Sequence, residues 1–205
     1  MSMIRRLSRR ISARPSSDGD GVRIQRIGGR EVSPVLDPFL LLDEIRSEEG
    51  RDYIGGFPPH PHRGFETVTY MLNGRMRHED HLGNRGLLTD GGVQWMTAGR
   101  GIIHSEMPEQ TDGLMHGFQL WLNLPAAQKM QPAGYRDYDA SELPRVDVPG
   151  GEVVVIAGAF GGVTSPVATG TTEPLYLDLR LDAGARLELP VPAQQQALLY
   201  VYGGG

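Results

Sequence analysis

The sequence has no cysteine. Disulfides, thiolate metal ligands and cysteine nucleophiles are therefore excluded. Any metal must be held by histidine, carboxylate, water or backbone oxygen, a donor set that favours iron, manganese, nickel, copper or a catalytic type of zinc site over thiolate-rich structural zinc. The same absence fits a reducing, cytoplasmic setting. Long apolar runs are missing too. None approaches the ~20 residues of a transmembrane helix, so no membrane span is expected. Nor is the chain basic: its net charge is −5 at pH 7, which gives no reason to expect direct nucleic-acid binding. The charge is uneven, however. Arg5, Arg6, Arg9, Arg10 and Arg14 fall within residues 1–17 without an acid, so that stretch carries +5 and the remainder −10. Ile4, Leu7 and Ile11 stand at helical spacing among these arginines. A helix on a membrane surface is one reading. A loosely ordered basic extension over residues 1–20 is the expectation, because the stretch is short and has no cleavage pattern.

What is abundant is turn chemistry. The 205 residues include 28 glycines and 15 prolines, with no low-complexity repeat to absorb them, which points to many short strands. Alternating or apolar runs cover 22–27, 39–45, 65–72, 76–82, 93–97, 102–106 and 115–124. Asn73-Gly74 separates two of them and reads as a hairpin turn. This spacing predicts an all-β sandwich or closed barrel rather than βαβ units. After Pro125 the texture changes to a Tyr-, Asp- and Pro-rich stretch, read as a linker over 131–145. Strand-like runs resume at 153–156, 175–181, 187–189 and 197–202. The run Leu198-Leu199-Tyr200-Val201-Tyr202-Gly203 echoes Val68-Thr69-Tyr70-Met71-Leu72-Asn73-Gly74, as a duplicated barrel would. The expected organisation is a barrel over 21–130 and a second, incomplete barrel over 146–205. So few strands cannot close a barrel, so a further C-terminal portion or a partner is expected to complete the sheet.

The chemistry-bearing residues are histidines. In a strand, residues i and i+2 share a face. His60-Pro61-His62 therefore presents two imidazoles to one point, and His104-Ser105-Glu106 presents one imidazole and one carboxylate. Two such pairs on neighbouring strands make a set of three histidines and one glutamate that leaves positions open on an octahedral ion. One pair alone is commonly an incidental surface feature. Two pairs, each close to glycine and beside a strand pattern, favour a metal site over a buried polar cluster. Glu66 shares the parity of His60 and His62, so spacing leaves Glu66 and Glu106 open as the carboxylate ligand. His78 and His81 are expected on a polar rim. His116 alternates with Phe118, Leu120 and Leu122, and reads as a hydrogen-bonded histidine on the face they share. Phe57, Phe65, Trp95 and Met96 are candidates for an aromatic-friendly pocket wall.

The longer motifs resemble a known family. Pro38-Phe39-Leu40-Leu41-Leu42-Asp43-Glu44, His60-Pro61-His62-Arg63-Gly64-Phe65-Glu66-Thr67-Val68 and the run from Gln94-Trp95-Met96-Thr97 to His104-Ser105-Glu106 are similar to pirins. So are His78-Glu79-Asp80 and Gln119-Leu120-Trp121-Leu122-Asn123-Leu124. The likeness is strong from about Val22 to Leu124 and looser beyond. Pirins belong to the cupin superfamily, so it implies a bicupin, two jelly-roll barrels with iron(II) in the first only. That matches the lack of any histidine after His116. It implies His60, His62, His104 and Glu106 as ligands. A carboxylate beside the metal can act as general base, and Glu106 is the candidate, with Glu66 in reserve; Glu66 and His116 are candidates for groups behind the ligands. Manganese, nickel, copper and zinc suit the same donors. It also implies a dioxygenase cleaving flavonols such as quercetin. The alternative implied by the family is a non-enzymatic, redox-sensing regulator that binds a protein partner.

Overall fold

The structure is a computed structural model. It describes residues 4–28, 36–170 and 172–204, and element counts below are counts over those residues. Ten strands run through the first part: β1 Arg14–Asp18, β2 Val22–Gly28, β3 Phe39–Ser47, β4 Phe57–His62, β5 Phe65–Asn73, β6 Met76–Asp80, β7 Arg85–Leu88, β8 Val93–Thr97, β9 Ile102–Pro108 and β10 Met115–Asn123. Six follow: β11 Gly134–Tyr138, β12 Arg145–Val148, β13 Gly151–Ala157, β14 Ala159–Phe160, β15 Val163–Thr164 and β16 Tyr176–Leu181. Among the described residues almost no helix interrupts them beyond short 3-10 turns, so the fold is all-β.

The strands assemble into a seven-stranded sheet, β1-β2-β3-β10-β5-β8-β11, and a four-stranded sheet, β4-β9-β6-β7. The two face each other. Ile24, Ile45, Met71 and Met115 of the large sheet bury against Met76 and Leu88 of the small one. The large sheet is apolar on its other face as well. There Val68, Tyr70, Trp95, Phe118 and Leu120 pack against Val154, Ile156 and Val167 of the later part. The antiparallel sheet β12-β13-β16 lies in that later part. A strand such as β5 is consequently buried on both sides, and its residues Glu66 to Met71 are all buried. Period-2 alternation disappears where a strand has two cores to serve.

Several expectations change. The Asn73-Gly74 turn does not close a hairpin. β5 pairs with β10 and β8, whereas β6 pairs with β9 and β7, so this turn carries the chain from one sheet to the other. Side chains from distant loops hold it: the Gly74 N–H donates to Asp90 and the Arg75 N–H to Gln110. Within 131–145, Gly134–Tyr138 is the edge strand of the large sheet, paired to β8, and not a linker. Within 1–20, β1 pairs with β2, while residues 4–13 form neither helix nor strand and residues 1–3 lie outside the described residues. The runs at 187–189 and 197–202 form no strand among the described residues. The second keeps its alternation, with Leu198, Tyr200 and Tyr202 packed on the core and Leu199 and Val201 exposed. Apolar patterning sets which side chains turn inward, but a strand also needs a neighbour to bond.

One core spanning the large sheet and the later part predicts one cooperative transition. Ile156→Ala, at a fully buried position, is expected to cost about 2–5 kcal/mol and to lower the whole urea curve. A separate early transition, leaving the first barrel intact, would contradict the shared core.

Candidate metal centre

β4 supplies two of the histidines, and its sequence shows why it sits where it does. Phe57-Pro58-Pro59-His60-Pro61-His62 contains three prolines, which cannot donate to a ladder and are tolerated only at a sheet edge. β4 is such an edge strand. It pairs with β9 so that His60 lies directly opposite His104, with an irregularity between Phe57 and His60. β6 flanks β9 on the other side and sets His78 opposite Glu106. His60, His62, His104, Glu106 and His78 thereby share one face of the small sheet, turned toward the large one.

The rings of His60, His62 and His104 converge, each offering one nitrogen, and these nitrogens lie within 4.8 Å of one another. The Nδ1–H of His60 donates to the carbonyl of Pro58 at 2.8 Å, which aims its Nε2 inward. That Nε2 lies 3.0 Å from the Nε2 of His62. Two nitrogens at right angles on an ion with bonds of about 2.1 Å stand about 3.0 Å apart, so the spacing suits two adjacent ligands. The Nε2 of His104 is buried and has no hydrogen-bond partner. Burial first, then the neighbouring imidazoles, pushes His62 and His104 down to about 3. Both are neutral at pH 7, with lone pairs free for a cation. The cluster is built to hold a metal ion.

The carboxylates separate clearly. Glu106 is buried at the cluster's edge, outside the trio of nitrogens. Gln119 donates to both of its oxygens at 2.9 and 3.2 Å, and Thr69 donates at 3.3 Å. The indole N–H of Trp121 donates to the Gln119 carbonyl, which fixes the amide's orientation. Below Glu106 a cavity of about 10 Å³, lined by Met71, Met76 and Met115 among others, has room for no more than about one water. Glu66 lies on the opposite face of the large sheet, bonded to Thr97 and Thr172. Its shared parity with His60 misleads because Gly64, at φ +80°, turns the chain out of the small sheet before β5 begins. His116 also faces away from the cluster, bonded to Glu44 at 2.8 Å. It does point where Phe118, Leu120 and Leu122 point, but that is the side packed on the later part. Among the described residues neither is hydrogen-bonded to a histidine of the cluster.

Other placements differ in kind. His78 is 1% exposed, inside rather than on a rim. His81 is at the surface side, where its Nδ1 accepts the Ile103 N–H. Phe65 stacks on Trp121 with centroids 4.5 Å apart, and both rings lie 5.0 Å from that of His62. Trp95 packs on the far face, Phe57 belongs to the core between the sheets, and Met96 packs with Ala98 and Ile102. Gln119 and Trp121 are the residues that sequence reasoning missed, and His78 is one that it misplaced. For His78 the signal existed: Met76 is an inward residue, and His78 is two further on.

A model of the pirin family matches residues 21–122. A Pseudomonas aeruginosa protein provisionally named quercetin 2,3-dioxygenase is 57% identical over 93% of this chain and 68% of its own length. The chain belongs to the pirin family. A pirin-like protein of Caulobacter vibrioides is 50% identical over 95% of this chain and 71% of its own. The crystal structure of quercetin 2,3-dioxygenase from Acinetobacter baumannii is similar with a TM-score of 0.69 and 35% identity, over 77% of this chain. The likeness covers 58% of that solved enzyme's length, less than two-thirds. The chain is thus a pirin-type cupin with a metal-binding histidine cluster. Among the described residues no helix is long and apolar enough to cross a membrane.

The depressed values of His62 and His104 have a sign. Their folded-state values lie below the unfolded value of about 6.5, so the unfolded chain binds more protons between these limits. Stability of the metal-free protein is expected to be full above pH ~6.5 and to fall as pH drops toward ~3. Replacing His104 with Asn should flatten that slope in urea titrations run at several pH values. An unchanged slope would show that His104 is not the source.

Proposed function

We propose that this pirin-family chain is an iron(II)-dependent dioxygenase acting on a flavonol such as quercetin, with His60, His62, His104 and Glu106 holding the metal. The observation that carries the reading is the convergence of three imidazoles beside a stacked Phe65–Trp121 pair. Three imidazoles and one carboxylate leave a net charge near +1 on a divalent ion, which suits a deprotonated enolate ligand. Bound iron supplies Lewis acidity toward a substrate hydroxyl and the one-electron chemistry that dioxygen requires. The names of the relatives support the flavonol. The resemblance to pirins supports iron, since the donors also suit manganese, nickel, copper and zinc.

The chain's own residues have distinct tasks in this reading. Phe65 and Trp121 offer a flat apolar wall to a planar ring and exclude water from it. Glu106 takes the hydroxyl proton at a carboxylate oxygen as general base. Gln119 and Thr69 hold that carboxylate by donated hydrogen bonds, so it is oriented before substrate arrives. To ligate the metal as well, Glu106 exchanges part of this hydrogen bonding for coordination.

Two measurements test the proposal. The protein is loaded with iron(II), quercetin is added in air, and loss of the flavonol absorbance is followed. Turnover is expected, and is expected to vanish in His60→Ala and His104→Ala. Metal analysis then separates the carboxylates: Glu106→Ala should lose bound iron and lower turnover by roughly 10²–10⁴-fold, whereas Glu66→Ala should retain iron. Full iron retention in Glu106→Ala would falsify its assignment as a ligand. No turnover with any of several flavonols and metals, iron still bound, favours instead a redox-reporting role toward a protein partner.

A further inference from the structure

We infer that His78 is a positioning residue that fixes the tautomer of His104 and so decides which of its nitrogens meets the metal. The inference rests on His104 being a ligand, and deepens that reading. The Nδ1 atoms of His78 and His104 lie 3.4 Å apart in the interior, with ring centroids at 4.7 Å. Both rings are 1% exposed, so water supplies neither with a substitute partner. Between two neutral imidazoles, one nitrogen must donate and the other accept. If His78 donated, His104 would carry its proton on Nε2 and that nitrogen would have no lone pair for the cluster. If His104 donates, its Nδ1–H is spent on His78 and its Nε2, buried without a partner, is free for a cation. Only the second arrangement fits a metal beside His60 and His62.

That arrangement requires His78 to hold its own proton on Nε2. Among the described residues the Nε2 of His78 is buried without a hydrogen-bond partner. The amide nitrogen of Gln94 donates to Asp137 at 2.7 Å, which orients that side chain. Asp137 is the cross-strand partner of Gln94 on β11, and its carboxylate presses on Gly86, where a side chain would collide with it. Tyr135, two residues earlier on the same strand, lies against His78 with ring centroids 4.3 Å apart. In this arrangement donation runs from His104 to His78, with Tyr135 packed against the His78 ring from the edge strand. Such outer partners set ring orientation and tautomer at metal sites generally.

The test uses the whole chain, with and without metal. Nitrogen-15 spectra of the imidazoles report which nitrogen of His104 carries the proton. The expected result is Nδ1–H in both the metal-free and the zinc-loaded protein. A proton on Nε2 of His104 in the metal-free protein overturns the inference, whether or not any metal binds. If zinc does not bind at all, the spectrum of the metal-free protein still decides the inference, while the metal reading fails separately. Affinity for zinc and iron(II), read by competition with a chelator, supplies the second arm. His78→Leu should weaken binding roughly 10–100-fold. His78→Asn places an oxygen acceptor where Nδ1 stood and should restore most of the loss. Equal weakening in both variants, or none in His78→Leu, overturns the inference.

Discussion

The antiparallel pairing of β4 with β9 is the interaction on which the rest depends. It alone sets His60 opposite His104 and carries His62 and Glu106 to the same face. The pairing is confined to a sheet edge by three prolines that withhold backbone donors. The edge position is also useful. A strand that gives up part of its ladder can bring its side chains close to a neighbour without being pinned on both sides. The carbonyl of Pro58 takes the proton of His60, so the strand aims its own ligand.

The second constraint is that the large sheet serves two cores. Its inner face meets the small sheet and contributes Gln119, Thr69, Trp121 and Gln94 to the surroundings of the cluster. Its outer face meets the later part of the chain through Val68, Phe118 and Leu120. A polar residue on this sheet is therefore assigned to one chemistry or another by its face. Glu106 on the small sheet and Glu66 on the large sheet are both buried acids, yet only one looks at the histidines. Each acid is satisfied by hydroxyl or amide donors, as a buried carboxylate must be. Burial of the imidazoles disfavours their charged forms, and the same low-polarity setting that costs them protons readies them for a cation.

The edge strand β11 joins the two themes. It extends the large sheet beyond β8, and it brings Tyr135 and Asp137 to the outer side of the His78–His104 pair. A stretch whose composition resembles a linker is part of the wall around the metal site. Its Tyr-Arg-Asp-Tyr sequence alternates, but proline and charge around it mask the pattern.

The sequence by itself determined the all-β class, most strand positions before Pro125 and the three histidines, because strand periodicity and the HxH and HxE spacings are local properties of the chain. It also carried the family likeness in contiguous motifs. It could not choose between Glu66 and Glu106, since parity is kept only within one strand and Gly64 turns the chain into another sheet. It misjudged the turn at Asn73-Gly74, where both strands are real but their partners lie elsewhere. It placed His78 on a rim, because the chain position of a histidine does not say which sheet will cover it. Those choices belong to strand pairing across long separations, and only the packed tertiary structure decides which face of each strand meets the metal cluster and which meets the second core.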